Sequence, residues 1–349
     1  MSNQLTPKQR GFSFPAEWHP HRATWLSFPH TEASWTYERQ PKMLPAYIEF
    51  IKTISEGEKV CINSHNELVQ QTIKLHLLGA GVNMNQIELP LHATNDSWCR
   101  DHGPGIVINP QTKERLILNW GYNAWGGKYP PFNHDDLIPV AIAHYLGLEY
   151  ITPGIIMEGG SVEFNGKGTV MTSRACLLNE NRNPHLNQGQ IEQYLCDYYG
   201  VDQVLWVGDG IVGDDTDGHI DDTVRFVNED TVVTIIEENK SDDNYAILQE
   251  NLHELKQMRL LNGKQLNIVE LPMPTPLYSE ELRLPASYAN FYISNAAVIV
   301  PTFRCDNDQR ALDILSQCFT DRKVVGIDST EIVWGLGSFH CLSQQEPLV

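Results

Sequence analysis

At 349 residues, 41% hydrophobic and 20% charged, the chain has the composition of a globular protein with ample material for a core. A formal net charge of −19 excludes nucleic acid and anionic membranes as natural partners and suits a cationic small molecule. Seven cysteines, odd in number and never spaced Cys-x-x-Cys, exclude a disulfide framework and a zinc site and point to a reducing, cytoplasmic setting.

The first residues lack the apolar core of a signal peptide, and no apolar run is long enough to span a membrane. Between Phe12 and Pro29 three prolines, at 15, 20 and 29, predict an irregular, extended lead-in. Ile48, Ile51 and Ile54 at helical spacing predict a helix over Leu44–Glu56, followed by a buried strand at Lys59–Asn63. Asn66 is a candidate cap for a helix running to Leu78, stopped by Gly79 and Gly81.

Further helices are expected near Asp136–Leu146, Gln188–Tyr199, Asn244–Met258 and Gln309–Phe319. Strands are expected near Gly105–Ile108, Leu116–Trp120, Gln203–Val207, Thr223–Phe226, Thr231–Ile236, Leu266–Leu271, Phe291–Val300 and Lys323–Ile327. The pattern is α/β, and the adjacent pair at 223–236 reads as a hairpin, which argues against a purely parallel sheet. No linker divides the chain, so residues 1–349 read as one domain. Helix-containing units recur at roughly 50–70 residues without an aligned sequence repeat.

Five stretches interrupt these patterns with polar residues and glycine, the composition from which sites are built. Thr94–Gly105 joins Asp96, Trp98, Arg100 and Asp101, where Asp101 is either a site carboxylate or a local partner of Arg100. Glu158 ends an apolar segment before Gly159, Gly160 and Ser161, a place for a cleft carboxylate or for a simple turn. Six aspartates lie between Asp209 and Asp222, but a calcium loop fails there, with Gly213 and Val224 falling where acids are required. His219-Ile-Asp221 instead reads as an i, i+2 pair on an extended strand, with the carboxylate tuning the imidazole as a general acid/base. Asn290, inside an aromatic strand, is a buried amide that needs partners.

The last stretch is Trp334-Gly-Leu-Gly-Ser-Phe-His-Cys341. Gly335 and Gly337 permit a tight turn that carries Cys341 toward a cleft, as a nucleophile on a surface loop that adds little to stability. The alternative is a packed cysteine opening a last strand. Together, the acids and the late cysteine fit a thiol enzyme acting on a cation, with carboxylates gripping a planar guanidinium.

With these residues assembled, the chain resembles the agmatine deiminase and Porphyromonas-type peptidylarginine deiminase family, within the guanidino-modifying superfamily. The resemblance runs from Pro15-Ala-Glu-Trp18 to Cys341-Leu-Ser-Gln-Gln345. It is carried by Asn95-Asp-Ser-Trp-Cys-Arg-Asp101, Tyr122-Asn-Ala-Trp-Gly-Gly127, Glu158-Gly-Gly-Ser161, the segment Cys176–His185, His219-Ile-Asp221 and His340-Cys341. It implies a pentein fold, five ββαβ-type modules about a pseudo-fivefold axis with the active site in the central channel, and it implies no metal or organic cofactor.

By motif position the resemblance makes Cys341 the nucleophile and His219 the general acid/base. Asp101 and Asp221 would bind the guanidinium, Glu158 would pair with His219, and Trp98 and Asn290 would line the site. The implied reaction is hydrolysis of agmatine to N-carbamoylputrescine and ammonia, a step toward putrescine, with deimination of peptidyl or free arginine as the alternative. Less favoured readings are a metal-dependent hydrolase on the Asp209–Asp222 cluster and a catalytically silent guanidinium-binding module. A homo-oligomer is compatible with all of these.

Two departures from the family pattern adjoin the site. Gly335-Leu-Gly-Ser-Phe-His-Cys341 stands where agmatine deiminases carry Gly-Gly-Gly-Asn-Ile-His-Cys. Thr216-Asp-Gly-His219 stands where they carry Thr-Asn-Gly-His. Both leave the reacting residues in place and alter neighbours that shape the pocket for the substrate's tail.

Overall fold

His21–Ser27, inside the segment expected to be irregular, is an inner strand of a four-stranded sheet. Pro20 and Pro29 flank this strand rather than interrupt it. It escapes a period-two reading because nearly every side chain is buried on both faces, a pattern that belongs to inner strands. It pairs antiparallel with the C-terminal strand Ser343–Pro347 and parallel with Lys59–Asn63, so the two ends of the chain close one sheet. The computed structural model describes residues 5–349.

Four more sheets repeat that connectivity, each an antiparallel pair extended by a parallel third strand. They are Gly105–Asn109, Glu114–Leu118 and Tyr150–Ile151; Val162–Phe164, Thr169–Ser173 and Gln203–Val207; Val224–Phe226, Thr231–Ile236 and Asn267–Pro272; and Tyr292–Ile293, Ala297–Thr302 and Lys323–Asp328. In each of the five sheets a helix crosses between the two parallel strands: Gln40–Ile54, Ile138–Leu146, Gln188–Tyr199, Asn244–Gln257 and Asn307–Cys318. A parallel pair requires such a crossover, so the unit is fixed by the backbone's own geometry. The recurrence seen in the sequence is therefore structural, carried by strand order rather than by residue identity.

Most expected elements fall within a few residues of their places, and Gln188–Tyr199, Gln203–Val207 and Thr231–Ile236 coincide. Asn66 caps its helix, its side chain accepting from the Val69 N–H. The strand expected near Leu116–Trp120 starts and ends two residues earlier, at Glu114–Leu118. The single strand expected over 291–300 is a hairpin, broken where Ser294 bonds back to Ala297 and Asn295 bonds to His21 and Glu58. Among the described residues no helix is long and apolar enough to cross a membrane.

Candidate active site

The site is assembled from the irregular ends of these modules. Asp101 sits on the one-turn helix Cys99–His102, and Glu158 immediately precedes the 3-10 turn Gly159–Ser161. His219 and Asp221 belong to the turn Ile220–Asp222 and its N-terminal flank, and Cys341 belongs to the one-turn helix Phe339–Leu342. His219-Ile-Asp221 is thus a 3-10 turn and not a strand. The cause is Asp214, whose carboxylate accepts the N–H groups of Thr216, Gly218 and His219 and folds the loop back on itself. The aspartate-rich segment spends its charge in this way: Asp214 on its own backbone, Asp217 on Arg182 and Lys128.

Gly160 marks where the chemistry converges. A Cβ built there would lie 2.6 Å from His219 Nδ1, 2.8 Å from Asp101 Oδ1 and 3.2 Å from Asp221 Oδ2. Its backbone N–H donates to Asp101 Oδ1 at 3.0 Å, and Trp125 Nε1 donates to Asp101 Oδ2, also at 3.0 Å. Arg100 is not Asp101's partner; its guanidinium pairs with Glu17 at 3.0 Å. Asp221 accepts from His340 Nδ1 at 2.7 Å through Oδ2, while its buried Oδ1 has no partner among the described residues. Glu158 pairs through Oε1 with Arg182 at 2.6 Å and leaves Oε2 unpartnered. It does not hydrogen-bond His219, although the two lie close, grouped with the Cys176 thiol within 4.8 Å.

Cys341 is 6% exposed, so the expected surface-loop thiol is a buried one, packed among Trp35, Trp98, Phe339 and Leu342. Asn290 Nδ2 donates to Sγ at 3.0 Å, and the same amide's Oδ1 accepts the N–H groups of His340 and Cys341. Both readings of Asn290 hold at once: its amide is fully partnered, and its partners include the thiol. The thiol faces Asp221 Oδ2 at 3.6 Å. The turn before it works differently from its glycine-rich appearance. The left-handed residue is Leu336 at φ 71°, whereas Gly335 and Gly337 are needed for space, since a Cβ on either would enter the Trp98 ring and, at Gly335, that of Trp35.

These buried charges set one another's protonation. Burial pushes the Cys341 thiol well above its usual range, and Asp221, Asp222 and Asp101 push it further. Burial raises Asp101 to about 6 despite the opposing pull of His219. For Asp221 burial acts upward too, but His340 and His219 outweigh it and hold the carboxyl below its usual value. Burial works against a charged His219, yet Asp101 chiefly, with Cys176 and Asp221, raises it well above the ordinary imidazole value. These directions favour, before any cation arrives, the thiol over the thiolate at Cys341. Its alkylation by iodoacetamide should be slow at pH 7 and climb with pH without levelling at the ordinary thiol value of about 8.5. A plateau near neutrality would contradict this.

Cys341 and Asp101 open on a cleft of about 540 Å³ whose walls include Trp98, Trp125, Asp96, Asp215 and Leu336. Among the described residues no lysine or arginine lines it. Trp98 is held by its own N–H bond to Ser34 Oγ at 2.8 Å. Trp125 carried no expected role; its conformation is the missed signal, since Ala124 and Trp125 both adopt positive φ, which lays the indole N–H on Asp101. Gly160 was legible only as part of a Gly-Gly turn.

A buried thiol, an imidazole and inward-facing carboxylates thus share one buried region. The family profile of the Porphyromonas-type peptidyl-arginine deiminases matches residues 13–347, and the chain belongs to that family. It is 36% identical to a Legionella pneumophila protein provisionally named an agmatine deiminase, over 99% of this chain and 98% of the relative. Among solved structures it is similar to the agmatine deiminase of Enterococcus faecalis (33% identity, 99% of each chain, TM-score 0.91). It is similar also to a cysteine-to-serine variant of C. jejuni agmatine deiminase with substrate bound (34% identity, 96% of each chain, TM-score 0.87).

Proposed function

We propose that this protein hydrolyses agmatine to N-carbamoylputrescine and ammonia through a covalent intermediate on Cys341. The observation that carries the reading is the convergence of Asp101, Asp221 and His219 on Gly160, with the Cys341 thiol 3.6 Å from Asp221. Two carboxylates beside a thiol and an imidazole suit a guanidinium, whose planar N–H groups they accept. Agmatine is favoured over free arginine because the cleft walls carry Asp96, Asp101 and Asp215 and no cation for an α-carboxylate. The full-length similarity to agmatine deiminases points the same way.

In this reading Asp101 and Asp221 position the guanidinium carbon against Sγ. The arriving cation offsets the carboxylate field that keeps the thiol protonated, so the thiol proton passes to solvent water in the cleft and the thiolate forms with the substrate in place. Sγ attacks the carbon, His219 protonates the departing nitrogen, and ammonia leaves an amidino-thioether. His219 then takes one proton from water as its oxygen attacks the same carbon; the C–S bond breaks as the carbonyl forms, the remaining hydroxyl proton passes to solvent, and the ureido product and the thiolate result. Glu158, fixed by Arg182, faces the imidazole from behind, while Trp98 and Asn290 wall the site. The five sheets are blades of one catalytic domain about a pseudo-fivefold axis, the reaction uses no cofactor, and the setting is cytoplasmic.

Assay of agmatine, free arginine and an arginyl peptide, with excess chelator present, tests the proposal. Ammonia and ureido product are expected fastest from agmatine, unaffected by the chelator. Faster turnover of either arginine substrate would move the assignment within the family, and loss of activity to the chelator would favour a metal-dependent site.

A further inference from the structure

His340 was noticed in the sequence only as the neighbour of the nucleophile. In the fold it is buried between two carboxylates, with Nδ1 2.7 Å from Asp221 Oδ2 and Nε2 2.8 Å from Glu17 Oε2. A carboxylate only accepts, so with both ionised both ring nitrogens face acceptors and are aimed to donate. Glu17 is itself anchored at the far side by Arg100 at 3.0 Å, Arg225 at 3.1 Å and the Ile293 N–H at 2.8 Å. Its surroundings hold it well below the usual carboxylate range, against the effect of burial, with Arg225 and His340 foremost.

We infer that His340, braced by Glu17, is a positioning residue that fixes Asp221 as an oriented anion. The inference rests on the proposed role of Asp221 in gripping the guanidinium. His340 occupies Oδ2, which leaves Oδ1, the buried and unpartnered oxygen, to receive a substrate N–H. It also places a ring N–H on the carboxylate oxygen nearest the Cys341 sulfur, which moderates the field that the thiolate must bear. Burial of Glu17, His340 and Asp221 in one line makes the arrangement costly to leave half-satisfied, so each member constrains the next.

Isosteric variants separate this role from mere packing. In His340→Asn the amide nitrogen replaces ring Nδ1 and keeps the bond to Asp221; in His340→Gln it replaces Nε2 and keeps only the bond to Glu17. His340→Asn should hold kcat/KM for agmatine within about fivefold of wild type, and His340→Gln should lose roughly 10–100-fold, a loss typical of removing an orienting partner. The loss should fall at least as heavily on KM as on kcat, because Asp221 acts first in capture. In an Asp221→Asn background the two substitutions should cost the same, since there is no anion left to orient. Should His340→Gln not fold, His340→Asn decides, a loss of more than tenfold in kcat/KM with the fold intact being the result that overturns the inference. Equal losses in the two single variants would overturn it too. Absence of agmatine turnover by the wild-type enzyme would instead remove the functional reading, and this inference with it.

Discussion

Replacing Cys341 by alanine should lower agmatine turnover by on the order of 10⁴-fold or more, the scale of losing a covalent nucleophile. The folded state should survive. Alanine retains the Cβ that packs against Phe339 and its neighbours, and Asn290 keeps its bonds to Asp222 and to two backbone N–H groups. The cost is that of a small void at the cleft floor, about 1 kcal/mol, so the melting temperature should fall by only a few degrees. Binding should outlast catalysis, because the carboxylates proposed to grip the guanidinium, Asp101 and Asp221, are untouched. The measurement is ammonia release beside calorimetric titration with agmatine. Ammonia at wild-type rate would remove Cys341 from the chemistry, while lost binding with an intact fold would make the thiol a binding group first.

Gly160→Ala should cost activity without removing any reactive atom. The added methyl would stand 2.6 Å from His219 Nδ1 and 2.8 Å from Asp101 Oδ1, closer than carbon tolerates, so imidazole and carboxylate must separate. Gly160 does not have positive φ, so the backbone accepts alanine and the penalty falls on the site. A displacement of several tenths of an ångström in two positioned groups should reduce kcat/KM by roughly 10²-fold. Stability should drop by about 1–3 kcal/mol, as for other overpacked interiors. Steady-state kinetics with agmatine beside a thermal melt checks both figures. A variant with wild-type kcat/KM would show that the three side chains do not need their close approach around this glycine.

How much of this was legible in the sequence follows from the kind of signal each residue carries. Helices and hairpins showed through because one face of each meets a core, as with Gln188–Tyr199, capped by Asn187 and closed by Gly200. His21–Ser27 did not, because a strand buried on both faces loses its alternation. The candidate site residues were legible as residue types at motif positions: Cys341, His219, Asp101, Asp221 and Glu158 all reach one buried region. Their geometry was not. Nothing in His219-Ile-Asp221 announces a 3-10 turn until Asp214 is seen to cap it. The purpose of Gly335 and Gly337 depends on the distant Trp35 and Trp98. Glu17, more than 300 residues before His340 in the chain, could be joined to it only by the closure of the first and last strands.

The claim on which the rest depends is that Cys341 carries the substrate's amidino group during turnover. Acid quenching of the wild-type enzyme at saturating agmatine, within the first turnover, followed by peptide mapping by mass, tests it directly. The account predicts an amidino mass increment on the peptide that contains Cys341, decaying as ureido product forms. Ammonia release with that peptide unmodified, or with the increment on another residue, would contradict it.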